Sequence, residues 1–167
     1  MMNTKKALTV ILTMALVLGV YGVAHAANTA TQLVSFEVAA INEISVSGDP
    51  GTLVIYKATP GRNPTPATDS STKYAITTNG TGMKITAKID TAMPTGLTLK
   101  VKLDAPTGAS PEGYVVLTDA DAPVVTGITK VAQENLAITY TLEATAEAEV
   151  TTSSDSRTVT FTLTDAQ

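Results

Sequence analysis

The side chains of this chain that could do chemistry are carboxylates, lysines and hydroxyls. The sequence contains no cysteine and no tryptophan, and its single histidine, His25, lies in an N-terminal stretch with the pattern of an export signal. A thiol nucleophile, an imidazole base, a Ser–His pair and a soft-metal site therefore cannot be built from the exported part of the chain. The sequence predicts a protein without catalytic residues, cofactor or dedicated metal site.

Two groups of acids are the remaining candidates for a site. Asp119 and Asp121 offer oxygen ligands for weak Ca²⁺ binding, but they lack the dense Asp/Asn/Gly spacing of a calcium loop, so a solvated turn is favoured. Glu143, Glu147 and Glu149 form the second group. A glycosidase pair would need a cleft with sugar-stacking aromatic side chains, and without tryptophan a solvated acidic patch is favoured.

Three further features have two interpretations each. Four lysines are predicted to share the outer face of neighbouring strands, as an anion patch or, in the favoured interpretation, as protection against sheet aggregation. Asn79-Gly80-Thr81 matches a glycosylation sequon, but Asn-Gly is also the preferred hairpin turn, and the turn is favoured. Four tyrosines could line a carbohydrate platform, although Tyr140 is on the apolar register and is predicted to be core. The four lysines are Lys84, Lys88, Lys100 and Lys102. The other three tyrosines are Tyr56, Tyr74 and Tyr114.

Residues 1–26 have the pattern of a cleaved signal peptide. Two lysines precede a mostly apolar stretch from 7 to 20, and Ala24-His25-Ala26 supplies the small residues that a signal peptidase recognises. A retained membrane anchor is the alternative, since the apolar run is just long enough. The polar residues after the small-x-small site favour cleavage before Ala27, and with it secretion.

The exported chain predicted in this way is an acidic protein of one domain. Cleavage removes two of the 11 basic residues and none of the 15 acidic ones, so the net charge becomes 9 − 15 = −6. That charge disfavours nucleic acid as a partner. No second apolar segment follows, so no membrane span is expected in the exported chain.

The elements that must position any site are β-strands. Apolar residues alternate with polar ones in five segments, as they do in strands that bury one face. With turn signals between them, the pattern predicts an all-β, antiparallel, immunoglobulin-like sandwich of about eight to ten short strands. The predicted sandwich spans residues 40–167 after an N-terminal strand at 27–39, with a hairpin at Asn79–Gly82 and a surface crossover loop at Ala58–Ser71. The alternating segments are 34–38, 83–89, 97–103, 136–144 and 159–163.

Three stretches carry a resemblance to a known group: Val34–Val38, Ile41–Gly48 and Arg157–Thr164. They resemble small exported β-sandwich subunits of prokaryotic surfaces, among them pilin-like and biofilm-matrix fibre proteins that polymerise by donor-strand exchange. The resemblance implies a structural subunit of a pilus-like or fimbrial filament on the cell surface, with itself as partner in a head-to-tail homopolymer. It is a resemblance to a cysteine-free fibre type, because the cysteine pair of many chaperone–usher pilins is missing.

The resemblance also implies a polymerising segment, Ala27 to Ala39, with Val34, Phe36 and Val38 as its anchors. The sequence leaves open whether this segment leaves its own domain or is the first strand of a self-contained monomer, because both have the same pattern. A monomeric binding module for glycan or protein, with recognition by the Ala58–Ser71 loop, is the alternative function.

Overall fold

The computed structural model describes residues 28–150 and 155–166, and the predicted signal peptide with its cleavage site lies outside them. Within these residues the chain forms ten β-strands and no helix. The strands are β1 (Asn42–Val46), β2 (Ala67–Asp69), β3 (Lys73–Thr78), β4 (Met83–Ile89), β5 (Leu97–Leu103), β6 (Ser110–Pro111), β7 (Val115–Val116), β8 (Ala122–Ile128), β9 (Val131–Ala144) and β10 (Val159–Asp165). Across the same residues, no helix offers the length and apolarity that a membrane crossing needs.

The strands form two antiparallel sheets that pack face to face. One sheet has the order β1-β3-β9-β5-β7, with β2 also paired to β9, and the other has the order β10-β4-β8-β6. Strands that follow one another along the chain, such as β3 and β4 or β4 and β5, alternate between the sheets. The predicted all-β antiparallel sandwich is confirmed.

The core lies between the sheets and is built from alternate residues of the central strands. On β4, Ile85, Ala87 and Ile89 are buried, while Lys84 and Lys88 on the alternate register are partly exposed. Tyr140 is buried in the same core, as predicted. Tyr74 is also buried, and its hydroxyl donates a hydrogen bond to the backbone oxygen of Asp104 at 2.6 Å. The parity of each strand therefore decides which side chains stabilise the sandwich.

The predicted hairpin at Asn79–Gly82 is wrong. The segment joins β3 to β4, which lie in different sheets, and both edges of β3 are already paired, with β1 and β9. It is a crossover between sheets, and Gly82 provides its left-handed residue at φ 68°. For the same reason the predicted shared lysine face is wrong, because β4 and β5 are also in different sheets. The lysines concerned are Lys84 and Lys88 on β4, and Lys100 and Lys102 on β5.

The predicted crossover loop Ala58–Ser71 contains a strand. β9 is 14 residues long, and the ladder of β3 on it reaches only to Ala137. β2 pairs with the next part of β9, with Ala67 opposite Leu142 and Asp69 opposite Tyr140. The length of β9 thus leaves room for a second strand on the same side. No sequence signal in the proline-rich loop indicated this pairing.

Candidate polymerisation site

The N-terminal segment carries a row of exposed apolar side chains. The chain divides between Glu37 and Val38 into two units, and the described part of the first begins at residue 28. The exposed fractions are 91% for Leu33, 72% for Val34, 91% for Phe36 and 75% for Val38.

None of residues 28–41 belongs to a strand. The alternation of Val34, Phe36 and Val38 predicted a strand, and none is formed by this segment within residues 28–150 and 155–166. A strand exists only when a neighbouring strand pairs with its backbone. Each large apolar side chain would gain about 1.5–3 kcal/mol from burial. The segment has the alternation of a strand, and no strand of residues 28–150 and 155–166 pairs with it.

The sandwich has a matching feature, an open edge between its two sheets. β1 is the outermost strand of the first sheet and β10 is the outermost strand of the second. The two strands lie beside each other without pairing, so within residues 28–150 and 155–166 each has one side of its backbone without a ladder. Such edges are templates for an added strand.

The inward face of β10 is incompletely covered. Val159, Phe161 and Leu163 point inward, because each is paired with a fully buried residue of β4. Their partners on β4 are 0–1% exposed, yet these three side chains are only partly buried. The core layer that is fully buried on β4 is therefore only partly covered on β10.

The inward face of β1 is incomplete in the same way. Ile44 is opposite the buried Ile76 and is itself only partly buried. Val46 is opposite Tyr74, which is 2% exposed, but Val46 is 51% exposed. Together with the inward side chains of β10, these residues form an apolar strip, which we call the open seam. It consists of Ile44, Val46, Val159, Phe161 and Leu163.

The opposite edge of the sandwich has only short strands. Its outer strands, β6 and β7, are only two residues long, as in edges protected against strand addition. The connecting chain also bonds inward, since Glu112 N–H donates to the backbone oxygen of Val124 and Leu117 N–H donates to that of Leu99. Leu117 is buried there. The open seam is therefore a property of one edge and not of the sandwich as a whole.

One carboxylate of the first acidic group is paired, since Asp121 accepts a hydrogen bond from Lys88 Nζ at 3.2 Å. Outside both groups, Asp155 pairs with Arg157 at 2.9 Å. The hydrogen bond from Arg157 lowers the pKa of the Asp155 carboxyl below its usual range. Among residues 28–150 and 155–166, no group of three or more His, Cys, Asp or Glu side chains is arranged to hold a metal ion.

Glu143 accepts a hydrogen bond from Lys100 Nζ at 2.7 Å, which ties one member of the second acidic group to β5. The four tyrosines do not form a platform, because Tyr74 and Tyr140 are buried while Tyr56 and Tyr114 are exposed. Burial, with Asp49 as a smaller contribution, raises the pKa of Tyr140 to about 12. The ion pair of Lys100 and Glu143 joins β5 to β9, and the two buried tyrosines belong to the core.

The loop before β2 contains a shallow groove. Leu53, Tyr56, Thr65 and Asp69 are among its lining residues, and the Tyr56 ring is 87% exposed. Hydrogen bonds from Ser71 lower the pKa of the Asp69 carboxyl. The groove offers one exposed aromatic ring and one carboxylate.

Comparisons with known proteins add no relationship. No family model matches the chain, and neither a curated protein nor a solved structure matches it. The functional argument therefore depends on the geometry of the segment and the open seam.

Sequence reasoning predicted Val34, Phe36 and Val38 as anchors but did not single out the residues of the open seam. Val159, Phe161 and Leu163 were recognised only as the apolar face of a last strand. Their incomplete burial depends on which strand lies beyond β10, and that information is not local to the sequence.

Proposed function

We propose that this chain is a non-enzymatic structural subunit of an extracellular or cell-surface filament, which polymerises by N-terminal strand exchange. The observation that carries the proposal is the exposure of Leu33, Val34, Phe36 and Val38 in a segment without a strand partner. A contiguous row of exposed apolar side chains is typical of a surface that binds a partner. A second copy of the chain is the partner proposed for it.

The segment and β10 are matched in length and period. Leu33–Ala39 and β10 each span seven residues, and each presents three inward anchors at every second position. When the anchors are aligned, Phe36 comes opposite Phe161 whether the added strand is parallel or antiparallel. The added strand would complete the β10 ladder and cover the open seam.

This contact is heterologous, because the segment of one subunit meets the seam of the next. A heterologous contact that does not close on itself produces a filament. Burial of three anchors would contribute about 5–9 kcal/mol, if each gains 1.5–3 kcal/mol. That gain is of the same order as the estimated 4–15 kcal/mol cost of association. The hydrogen bonds of the new ladder and the better burial of β10 then decide the affinity.

Negative-stain microscopy of the purified exported chain tests the proposal. We expect monomers at low concentration and unbranched filaments of uniform width above a threshold concentration. A monodisperse monomer at every concentration, measured by light scattering in parallel, would contradict the proposed function.

A binding module for glycan remains the second candidate, and the exposed Tyr56 ring beside the groove is the observation that favours it. In that case Tyr56→Ala would remove binding to a glycan array. The filament proposal predicts that the same substitution leaves assembly unchanged.

A further inference from the structure

The Asn79 side chain bonds to the chain at the point where the N-terminal segment begins. Its Nδ2 donates to the backbone oxygen of Ala39 at 2.8 Å, and its Oδ1 accepts from Ile41 N–H at 2.9 Å. Its own backbone N–H donates to the backbone oxygen of Ile41 at 3.2 Å. One residue therefore makes three hydrogen bonds to residues 39–41.

These bonds continue a β-ladder beyond its last paired residue. The ladder between β1 and β3 ends at Asn42 opposite Thr78. A carboxamide presents the same donor and acceptor as a peptide group, so the Asn79 side chain acts as an additional backbone unit. The ladder is extended in this way from Asn42 back to Ala39.

Asn79 is itself held in place by its neighbours. Thr78 is buried, and its hydroxyl donates to Asn42 Oδ1 at 2.6 Å. The Thr78 hydroxyl oxygen also accepts a hydrogen bond from Gly80 N–H at 2.9 Å. A methyl group at Gly80 would lie 2.9 Å from the sulfur of Met83, so the Met83 side chain would have to shift to admit it. The crossover is thus built tightly around the Asn79 carboxamide. The Nδ2 atom that a glycan would modify is already engaged with Ala39.

We propose that Asn79 is a positioning residue that fixes the root of the polymerising segment and thereby sets the stiffness of the filament. This inference rests on the proposed function. Val38, the last anchor, directly precedes Ala39, so no free linker separates the anchor from the bonded chain. Without the carboxamide bonds, only the backbone bond at Ile41 would hold this chain, and residues 39–41 would form a free connection of about 7 Å, at 3.3–3.6 Å per residue.

The test uses Asn79→Ala, which removes the two side-chain bonds and keeps the backbone bond. Asn63→Ala is the matched control, because Asn63 is an exposed asparagine in the loop before β2. We expect Asn79→Ala to form filaments of shorter persistence length in negative-stain images, with the same midpoint of thermal unfolding as the parent chain. The control should match the parent in both measurements.

Hydrogen exchange provides a second readout that does not depend on assembly. In dilute monomer, the Ile41 amide of Asn79→Ala should exchange about tenfold faster, as expected for the loss of one hydrogen bond. Core amides on β4 should be unchanged. Unaltered filament stiffness, or an unaltered Ile41 rate, would overturn the role of Asn79. Absence of filaments from the parent chain would instead contradict the proposed function.

Discussion

Truncation of Phe36 should affect assembly and leave the folded monomer unchanged. The ring is 91% exposed, so Phe36→Ala removes no buried contact from the subunit. Substitutions at such positions change the free energy of unfolding by about 0.5 kcal/mol at most. In the filament the same ring would fill the seam opposite Phe161, and loss of a buried phenylalanine costs about 3–5 kcal/mol.

The difference is large enough to measure by sedimentation. A loss of about 3 kcal/mol raises the critical concentration for assembly more than a hundredfold, at 1.4 kcal/mol for each factor of ten. Phe36→Asp should abolish assembly, because it would bury an unpaired charge in the neighbour. Tyr56→Ala is the control, since Tyr56 is 87% exposed but lies outside the segment.

Circular dichroism of the same Phe36 variants distinguishes a segment that pairs within its own sandwich from one that pairs with a neighbouring subunit. If the segment belongs to its own sandwich, Phe36→Asp unfolds the monomer, and its β signal is lost cooperatively at a lower temperature. That result, with assembly of Phe36→Ala unchanged, would refute the reasoning. An unchanged unfolding midpoint with lost assembly would support strand exchange.

Two further predictions concern the stability of the subunit. Gly108→Ala should lower the free energy of unfolding by about 1–2 kcal/mol, because its φ of 83° is left-handed. No atom lies within 4 Å of the added Cβ, so no packing cost is added. Gly96→Ala, at φ 80°, should lower the free energy of unfolding, measured in urea, by about 1–3 kcal/mol more than Gly108→Ala does. The reason is that its Cβ would lie 2.5 Å from the backbone nitrogen of Ala148. Equal losses would contradict the packing argument. Between about pH 10 and 12 the unfolded chain releases the Tyr140 proton before the folded chain does, so stability should fall by up to about 3 kcal/mol. Thermal unfolding of Tyr140→Phe should show a smaller alkaline loss than the parent, and an identical loss would contradict the assignment.

Alternation of period two predicted several strands of the core but not β8, where the consecutive residues Val124 and Val125 are both buried. β4, β5 and β10 lie where Thr or Lys alternates with apolar residues, because each strand buries one face and exposes the other. The burial of Tyr140 followed from the same parity. Such patterns are local, so they are visible in one sequence.

The pairing of the strands could not be predicted in the same way. Asn79-Gly80 has the composition of a hairpin turn, yet it crosses between sheets because β3 is already paired on both sides. β2 lies in a proline-rich loop and depends on the unusual length of β9. Both outcomes depend on distant partners, and local sequence carries no record of them.

The anchors of the candidate site could be predicted from the sequence, but the open seam could not. The anchors of the segment are readable as an alternating row, but a donor strand and a first strand have the same row. The open seam exists only because β1 and β10 end different sheets on the same side. Asn79 was noticed for its turn and its sequon, whereas its contact with Ala39 spans 40 positions of the sequence.

Disulfide trapping tests strand exchange most directly, because the chain has no cysteine of its own. Two variants carry Ser35→Cys, one combined with Thr160→Cys and the other with Thr162→Cys, all on the outward register. An added strand aligned by its anchors brings Ser35 opposite Thr162 if it is antiparallel, or opposite Thr160 if it is parallel. Paired residues on adjacent strands are close enough for a disulfide, which needs Cα atoms about 4.4–6.8 Å apart.

Under oxidising conditions, strand exchange predicts a ladder of covalent oligomers on a non-reducing gel for one of the two variants, lost on reduction. The variant that gives the ladder also reports the direction of the added strand. A cross-link confined to the monomer, or no cross-link in either variant, would contradict the proposal that one subunit completes the sheet of the next.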